Sequence, residues 1–126
     1  MDTAWQRFTI ESMRLQDGIL LALSGELDLA SVSAVDAELR RAEQAHGLIV
    51  VDLARVTFMD ASGLAALIAA DLRLRERHGC LAVVRASRQV ARLFELTGAA
   101  GQLTMAEDID DTIDLFAEDV PSRRAA

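Results

Sequence analysis

The chain has one cysteine, few aromatic rings and no long apolar run, and each scarcity removes a class of protein. Cys80 alone can form no internal disulfide, so a reducing compartment suits it, and a buried strand cysteine is a simpler reading of it than a reactive thiol. No apolar stretch approaches the ~18 residues of a membrane span. Met1 to Phe8 has neither the basic nor the apolar region of a secretion signal, so a cytoplasmic location is expected. The net charge is −7 and the basic residues are scattered apart from Arg73 to Arg77, which argues against a nucleic-acid footprint.

Catalytic machinery is scarce as well. The chain lacks a G-x-S-x-G elbow, a phosphate-binding glycine loop, a G-x-G-x-x-G turn and a metal-spaced His/Cys cluster. Its two histidines, His46 and His78, each precede a glycine at a predicted helix end, where contact with terminal carbonyls outweighs a role as base. The acidic run Glu107 to Asp111 lacks the ligand spacing of a calcium loop and reads as a helix start. The chain is therefore read as no enzyme.

What is present is an aliphatic core. Hydrophobic residues make up 52% of the chain and aromatics only 4%, a composition suited to helices packed on a sheet. At 126 residues one domain is expected, spanning residues 1–118, with a disordered tail over 119–126 after Val120-Pro121.

The organising stretch is Leu48 to Arg77. Leu48 to Leu53 lacks alternation, as a strand covered on both faces does, and Arg55 to Met59 reads as a connection to the polar corner Asp60-Ala61-Ser62-Gly63. A helix then carries Leu64, Leu67, Ile68 and Leu72 at helical spacing and becomes charged only from Asp71. Either Asp60 or Ser62 serves as its N-cap.

Around that stretch, Phe8, Ile10, Met13 and Leu15 predict a first strand with a phase slip near Ser12. Asp17-Gly18 marks a hairpin into Ile19 to Leu23. Val32, Val35, Leu39 and Ala42 form one face of a first helix, capped by Ser31 or Ser33 and stopped by Gly47. Leu81 to Val84 is a further strand. Ser87 caps a helix with Val90, Leu93 and Phe94 that Gly98 ends, Leu103 to Met105 is a short strand, and a last helix places Ile109, Ile113 and Phe116 inward. A hairpin followed by alternating strands and helices implies an α/β fold, a mixed and mostly parallel sheet with helices packed against it.

Three segments together carry a resemblance: Ser24 to Asp28 (SGELD), the strand and corner ending VTFMDASGL, and Arg92 to Gly98 (RLFELTG). Over roughly Phe8 to Phe116 the chain resembles the STAS domain of bacterial anti-sigma factor antagonists, most specifically in Asp60-x-Ser62-Gly63. The resemblance implies a protein that binds an anti-sigma factor and so frees a sigma factor for transcription. That anti-sigma factor is also a serine kinase, and its phosphorylation of the motif serine, Ser62 here, switches binding off. The resemblance implies a phosphatase for reactivation and no cofactor. It places Asp28 on the partner surface beside Ser62. From the residues themselves, Asp60 reads as a turn former and possible cap that also holds Ser62 in position, and Gly63, poor in helix propensity, points to close approach by another protein. Ser31 and Ser33 are weaker candidates, since capping accounts for at least one of them. Two alternatives stand beside this reading: a stand-alone STAS subunit of a transporter or stress-signalling complex, and a small-nucleotide-binding protein.

Overall fold

The computed structural model of the protein describes residues 8–110. Among the described residues five strands, β1 (Thr9–Arg14), β2 (Ile19–Leu27), β3 (Leu48–Met59), β4 (Cys80–Val84) and β5 (Thr104–Ala106), form one sheet in sequential order. The β1–β2 pair is antiparallel and the other neighbours are parallel. Helices α1 (Val32–Ala45), α2 (Ala61–Arg75) and α3 (Arg88–Thr97) fill the crossovers, and a 3-10 turn (Ala99–Gly101) precedes β5. This is the mixed α/β sheet that the alternation of elements predicts.

The centre of the sheet follows from β3. Leu48 to Leu53 are all buried, and the pleat sends them alternately to two faces. Ile49, Val51 and Leu53 join one apolar cluster with Val35 and Leu39 of α1, Leu64 and Leu67 of α2, and Val90 and Phe94 of α3. Leu48 and Val50 join Leu20 and Val84 in a second, with Leu15, Cys80, Ala106 and Ile109 packed against it.

Several expectations change. β3 does not stop at Leu53; it continues to Met59, and β2 continues to Leu27, the two strands pairing as far as Leu27↔Met59. Beyond Asp52↔Val84 the partner β4 has ended, so β3 has a neighbour on one side only. The run of buried residues breaks there, which is why Arg55 to Met59 reads as a connection. β1 pairs with β2 in unbroken register through Ser12, so it has no phase slip; Glu11, Ser12, Met13 and Arg14 are exposed because β1 is an edge strand. Ser31, rather than Ser33, occupies the cap position of α1. The left-handed residue that ends α2 is His78, with Gly79 N–H donating to Leu74 C=O at 2.8 Å and His78 N–H to Arg75 C=O at 3.1 Å. Ser87 and Gly98 bound α3 as expected. A helix begins at Ile109; Ile113, Phe116 and the tail of residues 119–126 lie outside the described residues.

The helical pattern of α2 hides a polar exchange. Leu72 is exposed, whereas Asp71 is buried and accepts from Leu81 N–H at 3.1 Å and from Arg75 at 2.7 Å. On α1, Glu43 is buried too, held by a two-pronged bond from Arg73 of α2 at 2.7 and 2.6 Å. On β3, burial alone would raise the Asp52 carboxyl, but the Arg85 guanidinium and the Ala54 amide outweigh it and hold the group below its ordinary range.

The Glu43–Arg73 pair is asymmetric, since the Glu43 side chain is 5% exposed and that of Arg73 26%. Arg73→Ala strands a buried carboxylate and should cost ~3–5 kcal/mol. Glu43→Ala leaves a guanidinium that water can reach and should cost only ~1–3 kcal/mol. Denaturant midpoints at unchanged m-value measure the difference; equal losses would show that Glu43 rehydrates when Arg73 is gone.

Candidate functional site

At the carboxyl ends of β2 and β3 two polar corners meet. The first is the β2–α1 loop. Asp28 Oδ1 accepts from the amides of Ala30 and Ser31 at 3.0 and 3.3 Å, while Asp28 N–H donates to Ser31 Oγ at 3.0 Å. The Ser31 hydroxyl donates back across the loop to Glu26 C=O at 2.7 Å, so it ties the loop and does not cap the helix amides. Between these two residues stands Leu29, 77% exposed.

The second corner is the β3–α2 turn. Asp60, the alternative left open with Ser62, is the N-cap: its Oδ1 accepts from Ser62 N–H at 2.9 Å, Gly63 N–H at 3.2 Å and the Ser62 hydroxyl at 2.5 Å. Its carboxyl therefore lies below its ordinary value of 3.8, chiefly through the Ser62 hydroxyl, with the amides of Gly63, Ser62 and Leu29 adding to the effect. The contribution of Leu29 links the second corner to the first.

Leu27 joins them structurally. Its C=O accepts from Asp60 N–H at 3.2 Å. A Cβ on Gly63 would meet Leu27 Cγ at 2.6 Å and Leu27 O at 2.9 Å. Gly63 is buried, so the close approach that calls for glycine here comes from within the chain. Asp60, Ser62 and Gly63 thus form one corner, which the loop of Asp28 meets through Leu27 and Leu29, and Ser62 is half-buried at the start of a helix whose amides favour an anion. Sequence reasoning missed Leu27 and Leu29. Leu29 carries a faint signal, a lone large apolar residue inside a polar corner, whereas Leu27 is indistinguishable from any core leucine. His46 and His78 lie at the ends of α1 and α2, and Cys80 opens β4, half-buried. Among the described residues no group of three His, Cys, Asp or Glu could hold a metal, and no helix is long and apolar enough to cross a membrane.

A five-stranded sheet of this order, with a serine presented at the start of the helix after its central strand, defines a STAS-type domain. The chain belongs to that family: the family model described as "Mlab, STAS domain" matches residues 13–107. It is 32% identical over 83 residues to the anti-sigma-B factor antagonist of Listeria monocytogenes, covering 65% of this chain and 73% of that protein. Among solved structures it is similar to the anti-sigma factor antagonist SpoIIAA in its unphosphorylated form, at 25% identity and a TM-score of 0.71, over 86% of this chain and 94% of that one. SpoIIAA, a Bacillus cell fate determinant, is also solved phosphorylated; that structure is 24% identical with a TM-score of 0.65 and covers 86% and 97% of the two chains.

Two outcomes test this geometry. Gly63→Ala must push α2 away from Leu27, and the strain should lower stability by ~1–3 kcal/mol without loss of the fold; an unchanged melting temperature would show that the corner yields. For Asp60, a folded-state pKa below the unfolded one stabilises the fold above about pH 4, and that contribution is lost as the pH falls through the folded value. Asp60→Asn keeps a capping oxygen and should flatten the acid limb of the stability curve, read by thermal melts between about pH 2 and 6.

Proposed function

We propose that this STAS domain is an anti-sigma factor antagonist switched at Ser62. With its hydroxyl unmodified it binds an anti-sigma factor, which then releases a sigma factor. That anti-sigma factor is a serine kinase that transfers phosphate from ATP to Ser62 and ends the binding, and a phosphatase restores it. The observation that carries this reading is the presentation of the Ser62 hydroxyl by Asp60 at the start of α2, against the Asp28 loop. The names of the relatives support it, as does the existence of SpoIIAA in phosphorylated and unphosphorylated forms. Asp28, Asp60 and Ser62 line the partner face. Gly63 serves it by letting α2 seat on Leu27.

The switch is local. A phosphate on Ser62 adds about −1.5 to −2 charges beside the positive end of α2, where an anion favours the helix by ~0.3–1 kcal/mol, so the fold survives modification. At an interface that had accepted a hydroxyl, the same group must shed its water and meets the partner's surface as a charge. A penalty of ~3–4 kcal/mol there weakens binding by about two to three orders of magnitude.

Candidate anti-sigma factor kinases co-purifying with the tagged protein are incubated with it and ATP, and the product is mapped by mass spectrometry. Phosphate on Ser62 is expected; phosphate on Ser31, Ser33 or Thr57 with Ser62 untouched overturns the assignment. Ser62→Ala should keep partner affinity and Ser62→Asp should lose it, and a pair of equal affinity would sink the switch. Asp28→Asn, which keeps the loop's acceptor, should weaken partner binding at an unchanged melting temperature. A melting temperature that falls while binding stays normal makes Asp28 a loop residue only.

A further inference from the structure

We infer that the Asp60 carboxylate, besides capping α2, is the group that orients the Ser62 hydroxyl for phosphoryl transfer and accepts its proton. This rests on the reading of Ser62 as the phosphate acceptor. The Ser62 hydroxyl donates to Asp60 Oδ1 at 2.5 Å, the shortest of the three bonds to that oxygen. Its proton is thereby committed toward the carboxylate, and its lone pairs are left facing elsewhere, available to an incoming phosphorus. A rotor that would otherwise sample several orientations is held in one before any partner arrives.

The same oxygen is in place to take the proton, as a weak base, since the bonds it accepts hold its carboxyl below the ordinary range. A hydroxyl attacking a phosphoryl group needs orientation more than deep activation, and its proton passes to a nearby carboxylate as the new bond forms. In the step inferred, Ser62 Oγ forms a bond to the γ-phosphorus of ATP. The bond from that phosphorus to the bridging oxygen breaks, and its electron pair leaves with ADP. The hydroxyl proton moves from Oγ to Asp60 Oδ1 and then to water. Protonated Asp60 is momentarily neutral, so the new phosphate does not meet a carboxylate charge while it forms. The substrate thus brings part of the acid–base machinery to its own modification.

Capping and proton acceptance are separable, because Asn and Ser cap as well as Asp while neither is a comparable base. Wild type, Asp60→Asn and Asp60→Ser are phosphorylated with ATP by the kinase identified through the Ser62 mapping, and kcat, KM for this protein and melting temperature are measured for each. The expected result is a fall in kcat of at least about tenfold in both variants, larger than any accompanying rise in KM, in line with the size of acid–base effects. A purely structural role would move KM and the melting temperature together and leave kcat alone, and that result overturns the inference. So does a wild-type kcat in either variant that is folded. If wild type itself is not modified on Ser62, the functional reading falls and this inference with it; if wild type is modified and the variants match it, only this inference falls.

Discussion

The closeness of α2 to Leu27 sets the geometry of the corner that carries Ser62. Leu27 ends β2, and its carbonyl receives the Asp60 amide while its side chain fills the space a Gly63 side chain would need. That double contact fixes where α2 starts relative to the sheet. The start of α2 fixes which amides Asp60 can cap, and the cap in turn fixes the Ser62 hydroxyl. A single missing methyl therefore lies beneath the whole corner. Glycine early in a helix lowers helix propensity, but near the first turn the loss is less than the ~1 kcal/mol of an interior position, and the close contact offsets it.

Beneath the corner, the carboxylates Asp52, Glu43 and Asp71 hold the elements in register from inside. Each is buried and each has an arginine partner. Glu43 joins α1 to α2, Asp71 joins α2 to the backbone of β4, and Asp52 joins β3 to Arg85 just after β4. Buried pairs of this kind are poor contributors to net stability, since desolvation costs much of what attraction supplies. What they add is selectivity among packings: an apolar, alanine-rich interface between helices tolerates sliding, and a carboxylate with one well-placed arginine does not. We read the rigidity of the corner as resting on this hidden lattice.

The sequence displays some of this and conceals the rest for physical reasons. The doubly covered core of β3, the hairpin, the Ser87 and Gly98 boundaries of α3 and the serine corner are legible because period, turn chemistry and capping are local signals. The outer half of β3 is not, because a strand that loses one neighbour loses its unbroken apolar run while keeping its ladder to β2. Leu72 and Asp71 mislead in the same way: hydropathy places the leucine inward, and only the arginine and a β4 amide make the aspartate the buried one. Gly63 marks a close approach that the sequence reveals without revealing what approaches. The partner in that approach, Leu27, is the last of the nine residues of β2 and carries no label of its own.

A rigid core beneath a corner held by a few hydrogen bonds suits a switch that must act without refolding. The bonds at Asp60 converge on one oxygen, so any change at Ser62 is felt at once by the cap and, through the amide of Leu29, by the neighbouring loop. The apolar clusters beneath have no comparable freedom, because close-packed side chains rearrange only in discrete steps. On the proposed reading, a phosphate at Ser62 would be expressed at the surface, in the disposition of Asp60, Leu29 and the Asp28 loop, and would not be passed into the sheet. The proposed switch would in this way keep stability and signal in different parts of the structure: buried contacts for the first, a hydrogen-bonded corner open to solvent for the second.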